Sequence, residues 1–138
     1  MTRRRRTVRT AKRGSPRTTT RRTTKGRPVV HWEISAKDAP RLQQFYASLF
    51  EWHVDADNPM QYGMVKTGGK GGLNGGIGPA QGPTGVTFYA QVDDLDAYLK
   101  KAERLGGKTA VPPTEIPGMV TFAMFIDPEG NRIGLVKG

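Results

Sequence analysis

Five polar side chains on two alternating segments could do chemistry together. His31 and Glu33 belong to the earlier segment, and Thr87, Tyr89 and Gln91 to the later one. In both segments they recur at every second position, the spacing that places side chains on one face of a β-strand. An imidazole beside a carboxylate can bind a ligand, move a proton or begin a metal site, and hydroxyl and amide groups suit an organic ligand. We take these five as candidate substrate-binding residues and assign no catalytic residue.

Each of these residues also has a structural interpretation. A single inward-facing histidine is commonly a hydrogen-bonded part of the fold. Glu33 can raise the pKa of His31 as its carboxylate partner, or it can be solvated at the mouth of a pocket. Residues 87–91 can line a polar concavity that holds no ligand. Both interpretations stay open at the level of sequence.

The segments that carry these side chains open two similar halves of the chain. Residues 29–34 alternate and are followed by Asp38, which can cap a helix, with Pro40 in its first turn. Residues 86–92 alternate and lead to Asp94, a second cap, so the cluster Asp93, Asp94 and Asp96 is explained by capping and by the helix dipole. Asp38 and Asp94 are 56 positions apart, as are His31 and Thr87. An offset of this kind predicts two copies of one supersecondary unit.

The remaining elements complete both units. The first helix has an apolar stripe expected to cover a sheet face, formed by Leu42, Phe45, Tyr46, Leu49 and Phe50. Two short strands are predicted within residues 53–67. The Gly-rich residues 68–79 are predicted to form a flexible linker that contains a weak strand. A second helix, ended by Gly106, leads to a short strand at 108–111, a loop at 112–118, a strand at 119–126, a turn at 127–131 and a last strand. The expected fold is α+β: two βαβββ modules forming a curved, half-open barrel.

The ordered motifs resemble the glyoxalase/bleomycin-resistance/dioxygenase group, the vicinal oxygen chelate superfamily. The matching pieces are Val29-Val-His-Trp-Glu-Ile34, Asp38 with Phe45-Tyr46 and Leu49-Phe50-Glu-Trp52, Val92-Asp-Asp-Leu-Asp96, Gly106-Gly-Lys108 and Asp127-Pro-Glu-Gly-Asn131. The resemblance covers residues 28–138 and implies the fold just described. It leaves the activity open, because the superfamily includes isomerases, epimerases, dioxygenases, transferases and metal-free drug binders.

The resemblance also implies where metal ligands would lie. His31 falls at the first ligand position and Thr87 at its counterpart, where the enzymes often have histidine. The last ligand, usually a glutamate, is replaced by Gly134, and residues 74–77 offer neither carboxylate nor imidazole. A tight divalent site needs three or four good ligands, so we expect no metal and no other cofactor. The space beside Gly134 is expected to widen the pocket for an organic ligand.

The basic character of the protein lies in one segment. The net charge is +10, yet residues 1–27 carry ten Arg, two Lys and no acidic residue, which leaves ten basic and twelve acidic residues in 28–138. We expect residues 1–27 to be a disordered tail, since they have few apolar side chains. Such a tail can bind nucleic acid non-specifically through phosphates, or it can be a solvated extension. With no cysteine in the chain, disulfides and thiolate chemistry are excluded.

Three functions are therefore considered. The first is a binder of a small organic molecule without a tightly bound metal. The second is a metal-dependent lyase, isomerase or dioxygenase with a degenerate ligand set, and the third is a nucleic-acid-associated protein acting through its tail. We further expect a homodimer, a cytoplasmic location and no membrane association, because no apolar run approaches the roughly 18 residues of a membrane helix.

Overall fold

A computed structural model of the chain describes residues 26–138, which form one eight-stranded mixed sheet with two helices. The elements are β1 (Val29–Ala36), α1 (Ala39–Phe50), β2 (His53–Asp55), β3 (Gly63–Lys66), β4 (Gly75–Pro79), β5 (Gly85–Val92), α2 (Leu95–Arg104), β6 (Lys108–Ile116), β7 (Val120–Ile126) and β8 (Arg132–Lys137). The predicted disorder of residues 1–27 lies, apart from Gly26 and Arg27, outside the described residues.

The sheet consists of two halves joined at its centre. Its strand order is β2-β3-β4-β1-β5-β8-β7-β6, with β1 and β5 antiparallel at the junction. In each half the first strand of the module runs parallel to the last, β1 to β4 and β5 to β8. The two βαβββ modules and the open, curved sheet confirm the predicted α+β architecture.

Local sequence signals set the ends of both helices. The side chain of Asp38 accepts a hydrogen bond from the backbone N–H of Arg41 at 3.2 Å, and that of Asp94 accepts from Ala97 at 3.0 Å. Such caps satisfy backbone donors that a helix leaves unpaired. After α2, Gly106 adopts a φ of 105°, a conformation that favours glycine. The two predicted caps are confirmed.

The helices cover one face of the sheet, which leaves the other face free. A buried apolar cluster joins α2 to the sheet and is formed by Val92, Leu95, Leu99, Ala123 and Leu135. On the other half, Trp32 of β1 packs on Trp52, which stacks on Tyr46 of α1. Because neighbours along a strand point to opposite faces, His31 and Glu33 lie on the face away from the helices.

The prediction that the apolar stripe of α1 packs on the sheet is wrong for three of its residues. Phe45, Leu49 and Phe50 are 54%, 56% and 52% exposed, whereas Ala39 and Gln43 are buried. Gln43 takes the central position because its Nε2 donates to the carbonyl of Ile77 on β4 at 2.7 Å. A specific hydrogen bond to the sheet therefore sets the rotation of α1.

The strand predicted within residues 68–79 is confirmed as β4, whereas the prediction that it is a weak strand in a flexible linker is wrong. Gly75, Gly76, Ile77 and Gly78 are buried in β4, which pairs with both β1 and β3. The glycines are covered by large side chains from elsewhere, Trp32 over Gly75 and Tyr62 over Gly76 and Gly78. β4 can lie inside the sheet between β3 and β1 because its glycines have no side chains, which leaves room for these rings.

The predicted loop at residues 112–118 is also largely a strand. β6 continues to Ile116 and pairs with β7 through two register irregularities. Pro112 and Pro113 have no backbone N–H, which is tolerated here because β6 is an edge strand with one partner.

Two further features bear on the ends of the molecule and its surroundings. Nε of Arg27 donates to the hydroxyl of Tyr98 on α2, and the guanidinium lies 5.5 Å from the centroid of that ring. Within residues 26–138, neither helix is long and apolar enough to cross a membrane.

Candidate functional site

The junction of β1 and β5 positions the candidate residues. Trp32 pairs with Phe88, a residue 56 positions later, and His31 pairs with Tyr89. Because Trp32 meets its own repeat counterpart, the approximate two-fold axis that relates the modules passes through this pair. The residues on either side of it therefore project into one shared concave face.

Four side chains on this face form a connected polar network. Nε2 of His31 lies 2.7 Å from the hydroxyl of Tyr62. Tyr62 donates to Oε1 of Glu33 at 3.1 Å, and Tyr89 donates to Oε2 of the same carboxylate at 3.2 Å. The ring of His31 also contacts both tyrosines, with centroid distances of 6.3 Å to Tyr62 and 5.7 Å to Tyr89. This His31–Tyr62–Glu33–Tyr89 network is the candidate site.

The network fixes the tautomer of the histidine. A phenol carries one proton, and that of Tyr62 points to Glu33, so Nε2 of His31 must donate to the Tyr62 oxygen. Nδ1 is then left with its lone pair, and it has no hydrogen-bond partner among residues 26–138. His31 therefore offers an unprotonated nitrogen that can accept a hydrogen bond from a ligand.

Burial governs the protonation of the network. Desolvation lowers the pKa of His31 below its ordinary 6.5, and the charge of Glu33 opposes that shift without cancelling it. Burial, followed by the charge of Glu33, raises the pKa of both Tyr62 and Tyr89 well above the ordinary 10. At neutral pH the imidazole and both phenols are consequently neutral.

Two glycines lie directly beneath the tyrosine rings. Gly76 pairs with Glu33 across β4 and β1, and Gly134 pairs with Tyr89 across β8 and β5. A Cβ at Gly134 would lie 2.7 Å from Cγ of Tyr89 and closer still to two further ring atoms, and one at Gly76 would overlap the ring of Tyr62. The wider pocket predicted beside Gly134 is therefore wrong, because the Tyr89 ring fills that space.

The five predicted site residues do not all meet. His31, Glu33 and Tyr89 belong to the network. The hydroxyl of Thr87 instead donates to the backbone carbonyl of Arg132 at 3.3 Å, and Gln91 packs against Gly138 at the end of the sheet. Neither Thr87 nor Gln91 touches His31 in the described hydrogen bonds.

Tyr62 is the member of the site that sequence reasoning missed. It precedes β3 and projects onto the concave face in register with the alternating positions Met64 and Lys66, while Gly63 faces α1. Asn58 fixes it from both sides, since its side chain accepts from the Tyr62 N–H at 3.0 Å and donates to the Tyr62 carbonyl at 2.7 Å. The sequence signal was the alternation of Tyr62, Met64 and Lys66 opposite a strand of glycines.

The fold implies a divalent metal in some relatives, and the donor set here does not fit one. Within residues 26–138, no group of three or more His, Asp or Glu side chains is arranged to hold an ion. Of the four positions that the resemblance assigns to ligands, one is His31, one is Thr87, one is Gly134 beneath the ring of Tyr89, and the last lies within residues 74–77, where Tyr62 covers Gly76. With Nε2 of His31 donating to Tyr62, the imidazole offers one donor nitrogen, Nδ1, and no second imidazole lies beside it in the network.

The concave face is an open surface. Two depressions of the described surface lie away from it, one at the turn between β6 and β7 around Met119, the other between α1 and β2 around Trp52. A ligand on the concave face would therefore rest against the tyrosine rings, with solvent on its other side.

A pair of βαβββ modules with one shared concave face defines a protein of the glyoxalase/bleomycin-resistance/dioxygenase fold. Residues 29–136 match the family described as a glyoxalase-like domain, and the chain belongs to that family. It is 30% identical over 112 residues to a Mycobacterium tuberculosis protein named "Putative glyoxylase CFP32". The match covers 75% of this chain, which spans only 42% of the length of that relative.

Solved structures agree on the fold. A glyoxalase/bleomycin resistance protein/dioxygenase superfamily member from Vibrio splendidus superposes with a TM-score of 0.57 at 15% identity, covering 82% of this chain and all of the other. The Mn(II)-bound glyoxalase from Novosphingobium aromaticivorans also gives 0.57, at 17% identity, covering 90% of this chain and 42% of that one. At these identities the likeness concerns the fold alone.

Proposed function

We propose that this protein binds a small organic molecule on its concave face without a tightly bound metal. The observation that carries the proposal is a pair of glycines on β4 and β8, which are the last strands of the two modules and the strands from which metal ligands would project. Gly76 and Gly134 supply no donor atoms, and the rings of Tyr62 and Tyr89 occupy the space that ligand side chains would need. The remaining polar atoms are a neutral imidazole, one carboxylate and two hydroxyls, a set suited to hydrogen bonding.

The alternative is a metal-dependent lyase, isomerase or dioxygenase with a degenerate ligand set. The name of the mycobacterial relative and the manganese bound by the Novosphingobium glyoxalase favour it by analogy. His31 and Glu33 would supply two donors, and the rest of the coordination shell would be water. Nδ1 of His31 and the remaining lone pairs of Glu33 are available, but two donors fall short of the three or four that a tight divalent site needs.

The test separates these two functions by direct binding. Protein without a histidine tag is titrated calorimetrically with zinc, nickel, manganese and iron(II), and the Tyr and His resonances are followed by NMR during a screen of organic fragments. We expect no stoichiometric metal at micromolar affinity, and fragment-induced shifts confined to His31, Tyr62 and Tyr89. One equivalent of metal bound at micromolar affinity, and lost in His31→Ala, would restore the metalloenzyme.

We also propose that the chain forms a homodimer through α1. Phe45, Leu49 and Phe50 are each more than half exposed on this helix. The only charged residue within Ala39–Phe50 is Arg41, so two copies of the helix can meet with little like-charge repulsion. A two-fold interface uses the same patch on both subunits, which suits a self-complementary apolar surface.

Sedimentation of the full chain tests the dimer. Leu49→Lys should convert a dimer into a monomer, while Leu105→Lys, a matched change at an exposed leucine beyond α2, should not. A wild-type monomer at micromolar concentration would contradict the proposal. Non-specific nucleic-acid binding through residues 1–27 and a cytoplasmic location stay predictions from the sequence.

A further inference from the structure

The two halves of the concave face differ chemically at equivalent positions. Met64 pairs with Gly76 in the first module, and Met124 pairs with Gly134 in the second. Tyr62 stands two residues before Met64, and Phe122 stands two residues before Met124. At this pair of equivalent positions, a hydroxyl group therefore occurs in the first module only. His31 likewise has Thr87 as its counterpart. At these equivalent positions the first half of the face is therefore more polar than the second, which has the hydroxyls of Thr87 and Tyr89 on β5 and an apolar ring at Phe122.

The more polar half contains a carboxylate in an aromatic setting. Both oxygens of Glu33 accept hydrogen bonds from tyrosine hydroxyls, and no basic side chain is among its hydrogen-bond partners in the described chain. A carboxylate can accept about four hydrogen bonds, so lone pairs are left over. A cation placed there would meet a negative charge flanked by the hydroxyl oxygens of Tyr62 and Tyr89.

An apolar surface continues from Tyr89 in one direction along the sheet. The ring of Phe122 meets that of Tyr89 edge-on at a centroid distance of 6.5 Å, and Val136 pairs with Phe122 on the next strand. In the opposite direction lies Arg132, at the level of Thr87. A ligand that extends from Glu33 past Tyr89 to Phe122 thus lies along this apolar surface.

We propose that the ligand of the concave face is a small organic amine with an apolar body. Its ammonium group binds Glu33 between the rings of Tyr62 and Tyr89, and its apolar part rests on Tyr89 and Phe122. This inference rests on the proposed function and adds the charge and shape of the ligand to it. The amine takes the place of a metal ion as the cationic partner of the site.

Three matched probes test the ligand class on the full 138-residue chain. These are 2-naphthylmethylamine, which is cationic at neutral pH, the neutral 2-naphthylmethanol and the anionic 2-naphthoate. Affinities are measured by calorimetry and contacts by NMR. The amine should bind at least about tenfold more tightly than the alcohol, since a hydrogen bond to a charged group is worth about 1.5–3 kcal/mol. Shifts at Phe122 should accompany binding of both.

Variants assign that preference to one carboxylate. Glu33→Gln should abolish the difference between amine and alcohol, while Glu115→Gln, at an exposed carboxylate on β6, should preserve it. Circular dichroism checks that Glu33→Gln is folded. Should it fail to fold, the comparison of the three probes on the wild-type protein decides by itself.

The outcomes separate the two proposals. Equal or tighter binding of the alcohol or of 2-naphthoate would overturn the amine while leaving an organic ligand on the concave face. A preference for the amine that survives Glu33→Gln would overturn the assignment of its site. If no probe shifts the resonances of Tyr62, Tyr89 or Phe122 at millimolar concentration, the proposal of an amine ligand is refuted. Stoichiometric metal binding in the separate titration would refute the proposed function as well.

Discussion

Substituting Gly134 by alanine should destabilise the protein by pushing on the Tyr89 ring. The added Cβ would lie 2.7 Å from Cγ of Tyr89, whereas carbon atoms in ordinary contact are about 3.5–4.0 Å apart. The ring must therefore move by about 1 Å. It is 9% exposed and held between His31, Phe122 and Glu33, so little free space is available.

The size of the effect follows from three contributions. Overpacking of a filled site costs about 1–3 kcal/mol, and weakening the hydrogen bond from Tyr89 to Glu33 costs about 1.5 kcal/mol. Replacing glycine by alanine within a strand returns about 0.5–1 kcal/mol. The expected net loss in the free energy of unfolding is about 1.5–4 kcal/mol.

Urea unfolding followed by tryptophan fluorescence measures this loss. Gly69→Ala is the matched control, because a Cβ there would meet nothing within 4 Å. In a Tyr89→Ala background, Gly134→Ala should cost nothing, whereas in Tyr89→Phe the overpacking cost should persist, since the ring remains and only the hydrogen bond to Glu33 is already absent. The reasoning is refuted if Gly134→Ala lies within about 0.5 kcal/mol of wild type, or if its cost is unchanged without the ring.

Three further predictions concern other parts of the molecule. An NMR titration should place the pKa of His31 below 6.5, and Glu33→Gln should lower this pKa further, because the carboxylate charge opposes the effect of burial. The folded protein then binds the proton less readily than the unfolded chain. The contribution of neutral His31 to the free energy of unfolding is therefore present above pH 6.5 and is lost as the pH falls below that value. An equal loss of stability at low pH in His31→Gln would contradict this. Removing residues 1–26, which keeps Arg27 on its partner ring, should change the free energy of unfolding by less than about 0.5 kcal/mol and abolish salt-dependent DNA binding; retention of that binding would show that the folded part carries it. Gly76→Ala should lower the free energy of unfolding by about 1–3 kcal/mol because the new Cβ would overlap Tyr62, and a neutral result by thermal unfolding would count against the close packing of that ring.

Much of the fold could be predicted because its signals are local. Asp38 and Asp94 cap helices through atoms within three residues, and Gly106 ends α2 through its own φ. The 56-residue offset predicted two modules, and the pairing of Trp32 with Phe88 obeys the same offset. These features depend on neighbours in sequence or on a repeat that the chain itself displays.

The errors arose where distant residues decide the outcome. Glycine-rich composition predicts a linker, yet β4 is buried because Trp32 and Tyr62 cover its glycines. Proline predicts a loop, yet β6 tolerates two prolines because it has a partner on one side only. The alternation of Tyr62, Met64 and Lys66 indicates that they share a face, but the register between β3 and β4 that brings Tyr62 to Glu33 is not specified by any local pattern.

The pairing of Trp32 with Phe88 has a consequence for how such a site can change over time. In a dimer of identical single modules, every substitution appears twice, at symmetry-related places around the cleft. Here both modules share one chain, so each position on the concave face can mutate independently of its counterpart. Tyr62 and Phe122, or His31 and Thr87, therefore represent separate choices. Because the modules are covalently linked, selection can give the two ends of the concave face different side chains although the backbone scaffold is approximately two-fold symmetric.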